Sequence, residues 1–351
     1  MGKKNLSNKK YYLSFLIMVL LIVITFFVLF KDYTLSDVVD AVNIMDKRYI
    51  LLAILMFFIY LLFEAMATKR LLNEIGYETK LLTNIRYAAI DYYFCAITPS
   101  SLGGQPMVAY YMDKDKIPVY KSSVVLLFNS IIFRLVLVLF GIVFVVLRYS
   151  YFDDLVKTLL FLVGVILNLV FVSIFLVALI SKKLVLKAGF KVINLLHKLK
   201  VLRKNRIVYY RKYYHSINKF SNLYIHIKKN KRLILEILLY NILQRGALFF
   251  ISYLVYRSLS FSTESIISLM AIQVFISITV DSLPIPGGVG LSEKLMISFF
   301  AVIYTSKYIF PAMVITRIMT FYLEVIITGL IIGFHHVITM IKKGRNNDRV
   351  L

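Results

Sequence analysis

The sequence predicts an all-α polytopic integral membrane protein, with about six full spans plus two re-entrant broken-helix hairpins arranged as an inverted-topology repeat. Three observations carry this. The 351 residues are 60% hydrophobic with a mean hydropathy of +0.79, against an apolar share of roughly 45–50% in soluble domains. Apolar runs of spanning length recur along the whole chain, separated by short charged loops. Two further apolar runs, Tyr87 to Met112 and Ile266 to Tyr304, are each interrupted by two prolines and a Gly-Gly pair. Proline removes a backbone donor and glycine opens conformations closed to other residues, so helix cannot pass through either stretch unbroken.

In chain order, Lys3, Lys4, Lys9 and Lys10 precede an apolar segment from Leu13 to Phe30. It is long enough to span and longer than the roughly 7–15 residues of a signal-peptide core. The loop after it holds Asp32, Asp37, Asp40 and Asp46 and is expected outside. A second span, Tyr49 to about Ala67, returns to Lys69, Arg70, Lys80 and Arg86, which the positive-inside rule places in the cytoplasm. The first break follows, Thr98-Pro99-Ser100-Ser101-Leu102-Gly103-Gly104-Gln105-Pro106. Its arms, about Tyr87 to Ile97 and Leu102 to Met112, fall well short of the roughly 20 residues a crossing needs, so a hairpin dips in from the cytoplasmic side.

Spans from Ser122 to Leu147 and from Val156 to Ile180 then flank Asp153 and Asp154. Lys182 to Arg232 carries sixteen Lys or Arg and no acid. A hairpin at the first break keeps this loop cytoplasmic; a complete crossing there would put it outside, against the rule. Leu233 to Tyr256 crosses outward. The second break, Leu283-Pro284-Ile285-Pro286-Gly287-Gly288-Val289-Gly290-Leu291-Ser292-Glu293, enters and leaves from the outside, and Ile309 to Val337 returns to Lys342, Lys343, Arg345 and Arg349. Both termini are therefore expected in the cytoplasm of a single transmembrane domain, 1–351. Its halves, 1–150 and 151–351, read span, span, hairpin, span in opposite orientation. Two complete helices, Ile266 to Leu283 and Leu291 to Tyr304, would preserve the same parity.

The formal charge of +24 maps mainly to loops. In the basic loop 182–232, Lys187, Lys191, Asn194 and Lys198 step by four, three and four opposite Val185, Val192, Ile193, Leu196 and Leu199, the pattern of an interfacial helix on an anionic leaflet. A membrane surface accounts for the charge, and nucleic acid is not an expected partner. Trp is absent and 25 Tyr are present, many near predicted membrane edges. The single cysteine, Cys95, excludes an internal disulfide and a multi-cysteine metal site. No metal or cofactor is called for. No extramembrane segment is long enough for a catalytic domain, and no catalytic residue is nominated.

Ionisable groups at membrane depth cost roughly 2.5–3.5 kcal/mol on insertion scales, so each is a functional candidate. They are Glu64, Asp91, Arg134, Arg245 beside Gln244, Asp281, Glu293, Arg317 and Glu324; Gln105 joins them inside the first break. The break itself is assigned to Pro99, Gly103, Gly104 and Pro106, and to Pro284, Pro286, Gly287, Gly288 and Gly290. Gly104 to Arg134 is thirty residues and Gly288 to Arg317 twenty-nine, a spacing that implies equivalent positions in the two halves. Two arginines facing one cavity would suit a phosphate or carboxylate through their planar donor forks. In the alternative, Arg134 pairs with Glu64 and Arg317 with Glu324 as structural ties.

The Pro-x-Pro-Gly-Gly-Val-Gly-Leu-x-Glu run at 284–293, the later Thr316-Arg317, and Pro-x-x-x-Gly-Gly-x-Pro at 99–106 resemble the membrane region of the phosphatidylglycerol lysyltransferases, the lysylphosphatidylglycerol synthase or multiple peptide resistance factor family. The resemblance covers essentially the whole chain. It implies a bacterial plasma-membrane flippase for anionic or aminoacylated phospholipid, in a family whose separate soluble domain makes the lipid. Gln105 stands where relatives often carry an acid, which weakens a cationic-headgroup contact there. The chain ends at Leu351 without a synthase domain, so translocation is expected rather than catalysis. The other reading is lysyl transfer to phosphatidylglycerol together with a separate catalytic chain. Membrane phospholipids are the expected partners, with a lipid-modifying enzyme and a second copy of the chain, as a homodimer, left open.

Overall fold

Two long antiparallel helices form the spine of the molecule, and two broken hairpins meet beside it. The computed structural model describes residues 35–148, 154–199, 201, 205–281 and 283–347. The predicted first span, Leu13 to Phe30, with the lysines before it, lies outside the described residues, as do Asp32, Asp153 and Arg349.

The described helices are α1 (Leu35–Ile44), α2 (Lys47–Glu74), α3 (Leu81–Ala96), α4 (Gly104–Lys114), α5 (Val119–Leu147), α6 (Leu155–Ile180), α7 (Lys182–Lys198), α8 (Arg206–Lys229), α9 (Lys231–Ser258), α10 (Ile266–Val280), α11 (Leu291–Phe300), α12 (Ser306–Arg317) and α13 (Leu323–Asn347). Among the described residues, five stretches are long and apolar enough to cross a membrane: α2, α5, α6, α9, and α12 continued into α13 as far as His335. These match the predicted spans in place, each slightly longer than its apolar core.

Helix α2 begins where Asp46 Oδ1 accepts from the Arg48 amide at 2.9 Å, a side-chain N-cap. It packs along α9 in the opposite sense. At one end the Asp46 amide donates to the Ser258 carbonyl at 2.9 Å. At the other, Arg70 pairs with Glu236 at 2.6 Å and Asn230 donates to Glu74 at 2.9 Å. That second end is also where the basic segment arrives.

The first hairpin opens at this basic end. Arg86 and Tyr87, near the start of α3, both donate to Asp115, just past the end of α4. The second opens at the other end, where Phe261 and Tyr304 stack edge-on at 5.2 Å and Tyr256 closes on Tyr304 at 5.4 Å. The ten residues of α11 rise only about 15 Å, half of the roughly 30 Å hydrocarbon core. Residues 266–304 are therefore a re-entrant hairpin, and the reading of two complete spans does not hold.

The hairpin tips touch. Pro99–Ser101 and Pro286–Gly288 each form one 3-10 turn, and the Ser100 amide donates to the Leu283 carbonyl at 3.2 Å. Two chain breaks that would each strand backbone groups in lipid thus pack against each other.

The basic loop folds as two helices, α7 and α8, joined face to face through Phe190 and Tyr210, whose ring centroids lie 4.6 Å apart. Helix α7 buries no residue fully; α8 docks on the bundle through Phe220, Tyr224 and Ile227. The predicted lysine stripe is present on α7, and Leu184, Val192, Leu195 and Leu199 are exposed beside it.

Candidate functional site

Where the tips meet, polar side chains from both hairpins and from α2, α5, α9 and α12 enclose a cavity of about 210 Å³. Of the residues nominated from sequence, Glu64, Asp91, Gln105, Arg134, Gln244, Arg245, Asp281 and Arg317 line it, and Glu324 does not. Glu293 stands one layer behind and holds Arg317. A cavity of this kind at the junction of two discontinuous helices is the arrangement found at transporter substrate sites.

Each arginine is fixed by a different partner. The Arg317 Nε donates to Glu293 Oε1 at 2.7 Å and its Nη2 to the Gly287 carbonyl at 3.1 Å, so the guanidinium ties α12 to the second break. Glu293 Oε2 also accepts from the Gly290 amide at 2.7 Å, the reciprocal half of a capping box at the start of α11. Arg245 donates to Asp281 at 3.2 Å and lies 3.6 Å from the centroid of the Phe133 ring. Its Nε is buried and finds no acceptor among the described residues. Arg134 donates to the amide oxygen of Asn168 at 3.0 Å and faces Phe171 at 4.6 Å. Stacking on aromatic faces leaves the edge of a guanidinium, where its donors lie, turned to a ligand.

These partners differ from the structural ties considered above. Arg317 pairs with Glu293, twenty-four residues earlier, and not with Glu324. Glu324, fully buried on α13, accepts instead from the Tyr92 hydroxyl. Glu64 accepts from Gln244 at 3.3 Å.

The two arginines also differ in their register from the breaks. Five residues after Pro99 the chain restarts as α4 at Gly104, and five after Pro286 it restarts as α11 at Leu291. In that register Gly104 corresponds to Leu291, not to Gly288, and Arg317 falls four residues, about one turn, short of the counterpart of Arg134. The two arginines line one cavity without occupying equivalent positions in this register. A π turn, Ile318–Tyr322, follows Arg317 directly and locally rewinds the helix.

The break residues serve two purposes. Gly287 and Gly288 take φ of 60° and 64°, the left-handed region. Gly104 is required by contact: a Cβ there would stand 2.3 Å from Asp91 Oδ1 and 2.6 Å from Cys95 Sγ, so α3 and α4 approach as closely as they do only because it is glycine. Gly103, Pro106, Pro284 and Gly290 complete the two turns.

Sequence reasoning missed Asn129, Ser130, Asn168 and Gln273, all uncharged polar residues in apolar helices. Asn168 is fully buried and, besides Arg134, bonds the Gly164 carbonyl at 2.9 Å. Gln273 accepts from Ser252 at 3.0 Å, and Ser130 from Gln105. Their signal was available, since a buried amide in hydrocarbon needs partners as surely as a charge does.

Helices of spanning length around a polar cavity, bounded by two opposed broken hairpins, define a multi-pass membrane protein. A family model for the lysylphosphatidylglycerol synthase TM region matches residues 13–328, and the chain belongs to that family. No curated protein matches the chain.

Proposed function

We propose that the protein moves anionic or aminoacylated glycerophospholipid between leaflets, the headgroup passing through the central cavity. The observation that carries this is Arg245. Its Nε is a buried donor without an acceptor among the described residues, on the wall of a cavity that Arg134 also lines. A phosphodiester supplies the missing acceptor, and a planar fork binds it in two places.

Arg317 has a different part. With two donors committed to Glu293 and Gly287, it holds the second break in shape and presents only its remaining edge to the cavity. The phosphate site therefore centres on Arg245 and Arg134. Movement of one hairpin against the other, across the single backbone bond between Ser100 and Leu283, exposes the cavity to each side in turn.

Proteoliposomes containing fluorescent phosphatidylglycerol, with the outer leaflet quenched, test this. The wild-type chain is expected to make the inner-leaflet probe accessible, and Arg245→Lys and Arg134→Lys to slow it at least about tenfold, as expected when a bidentate contact in a dry site is lost. Wild-type rates in both variants, or no probe movement with the wild type, overturn the reading. Formation of lysylphosphatidylglycerol from charged tRNA by the purified chain would establish the transferase alternative.

A further inference from the structure

Glu64 and Asp91 pose a separate problem. They sit on α2 and α3 and line the same two neighbouring cavities, the central one and a small one beside it. Among the described residues neither forms an ion pair, while the arginines on the same wall are engaged with Asp281, Glu293 and Asn168. Two ionised carboxylates are acceptors only and repel one another, so a pair sharing one unpaired site favours holding a proton between them.

Two further features mark the spot. Gln244, 1% exposed, donates its amide to Glu64 while its Oε1 lines the cavity without a partner, and Asp91 Oδ1 is likewise buried without one. The pair also separates two spaces. On one side is the central cavity. On the other is a pocket of about 20 Å³ bounded by Thr68, Tyr87, Asn129 and Ser130, enough for a water, which needs roughly 10–15 Å³. The Tyr87 hydroxyl reaches from this pocket to Asp115, whose side chain is 36% exposed at the basic end of the bundle. A polar path thus runs from that surface through Asp115, Tyr87 and the small pocket to the carboxyl pair, and on into the cavity.

We propose that Glu64 and Asp91 form a proton-binding site and that one proton, taken up through Tyr87 and Asp115 and released through the cavity, crosses with each cycle of lipid movement. The energy source is then the proton gradient. This rests on the translocase reading for its coupling, though not for the proton itself. Other groups facing the pair are Tyr60 on α2, Cys95 on α3, Arg245 on α9, Arg134 on α5 and, beyond Tyr92, Glu324 on α13. Arg245 favours loss of the proton as lipid phosphate leaves it and its charge is uncovered; a phosphate on Arg245 favours uptake. That linkage ties proton occupancy to the presence of the headgroup.

Two measurements on the full chain decide the matter. Infrared difference spectra of the purified protein in phosphatidylglycerol nanodiscs should show a protonated-carboxyl band that is lost in both Glu64→Gln and Asp91→Asn. In proteoliposomes, changing the pH on one side should alter the rate of fluorescent phosphatidylglycerol movement by up to about tenfold per pH unit, the mass-action limit for one proton. In either variant the ratio of rates at two pH values should fall to one, whatever rate remains. No such band in the wild type, or a band unchanged in both variants, overturns the proton site. Measurable lipid movement that ignores the gradient overturns the coupling. A band that behaves as stated with no lipid movement at all overturns the translocase reading and leaves the proton site standing.

Discussion

The two breaks follow one plan and are closed by different chemistry. In each, a proline starts a 3-10 turn, the next two residues take positive φ, and a helix resumes five residues after the proline. The first break places serines in the left-handed region, Ser100 at 54° and Ser101 at 52°; the second uses Gly287 and Gly288. The closures differ further. Glu293 and Arg317 make a buried ion pair at the second break, with side chains 2% and 7% exposed. In the first, the place matching Arg317 holds Ser130, and it is joined by a neutral hydrogen bond to Gln105, one residue before Pro106, which matches Glu293; Thr98 Oγ1 accepts from the Gly103 amide at 2.8 Å. A charged tie is costly to open in a dry interior, and a neutral one is not. The second hairpin is thus the costlier of the two to open, and under the translocase proposal the first is the one expected to move.

That contrast has measurable consequences, the largest first. Glu293→Ala leaves Arg317 buried without its carboxylate and should cost about 3–5 kcal/mol, whereas Gln105→Ala should cost about 1 kcal/mol. Thermal unfolding in detergent measures both, and equal losses would erase the distinction between the breaks. Arg317→Lys should accordingly lower stability and transport together, while Arg134→Lys lowers transport with the unfolding temperature nearly unchanged.

The left-handed positions should respond with opposite signs. Gly287→Ala adds a side chain 2.2 Å from the Phe321 ring as well as the left-handed penalty of roughly 1–2 kcal/mol, so it destabilises by more than that penalty. Ser100→Gly removes the same penalty and should stabilise the fold by up to about 1 kcal/mol, with chemical denaturation as the readout. If relief of strain at Ser100 also slows lipid movement, the first break is the working hinge.

The mildest test asks from which side each hairpin enters. Cysteines placed at Glu78, before α3, and at Glu264, before α10, should be labelled by an impermeant reagent from opposite faces of the membrane. In intact cells the cysteine at 264 should react and those at 78 and at Asn205 should not. Labelling at 205 from outside would invert the expected orientation, in which the basic segment is cytoplasmic.

Much of this was legible in the sequence for reasons that act locally. Hydropathy and length placed the spans, because a helix must match the thickness of the hydrocarbon it crosses. Proline and glycine placed both breaks, because they act on the backbone where they stand. The cost of charge at depth picked out six residues that line the cavity and Glu293 behind it. Partners were a different matter. That Arg317 meets Glu293 and not Glu324, that Ser100 meets Leu283 across 183 residues, and that Gly104 corresponds to Leu291 depend on how each helix is rotated and how far it slides against its neighbours. A period of 3.6 residues lets a side chain at a given depth face several different elements with equal local propriety. Only the packed bundle, where close approach at Gly104 and the meeting of the two turns fix rotation and register together, selects which of them it meets.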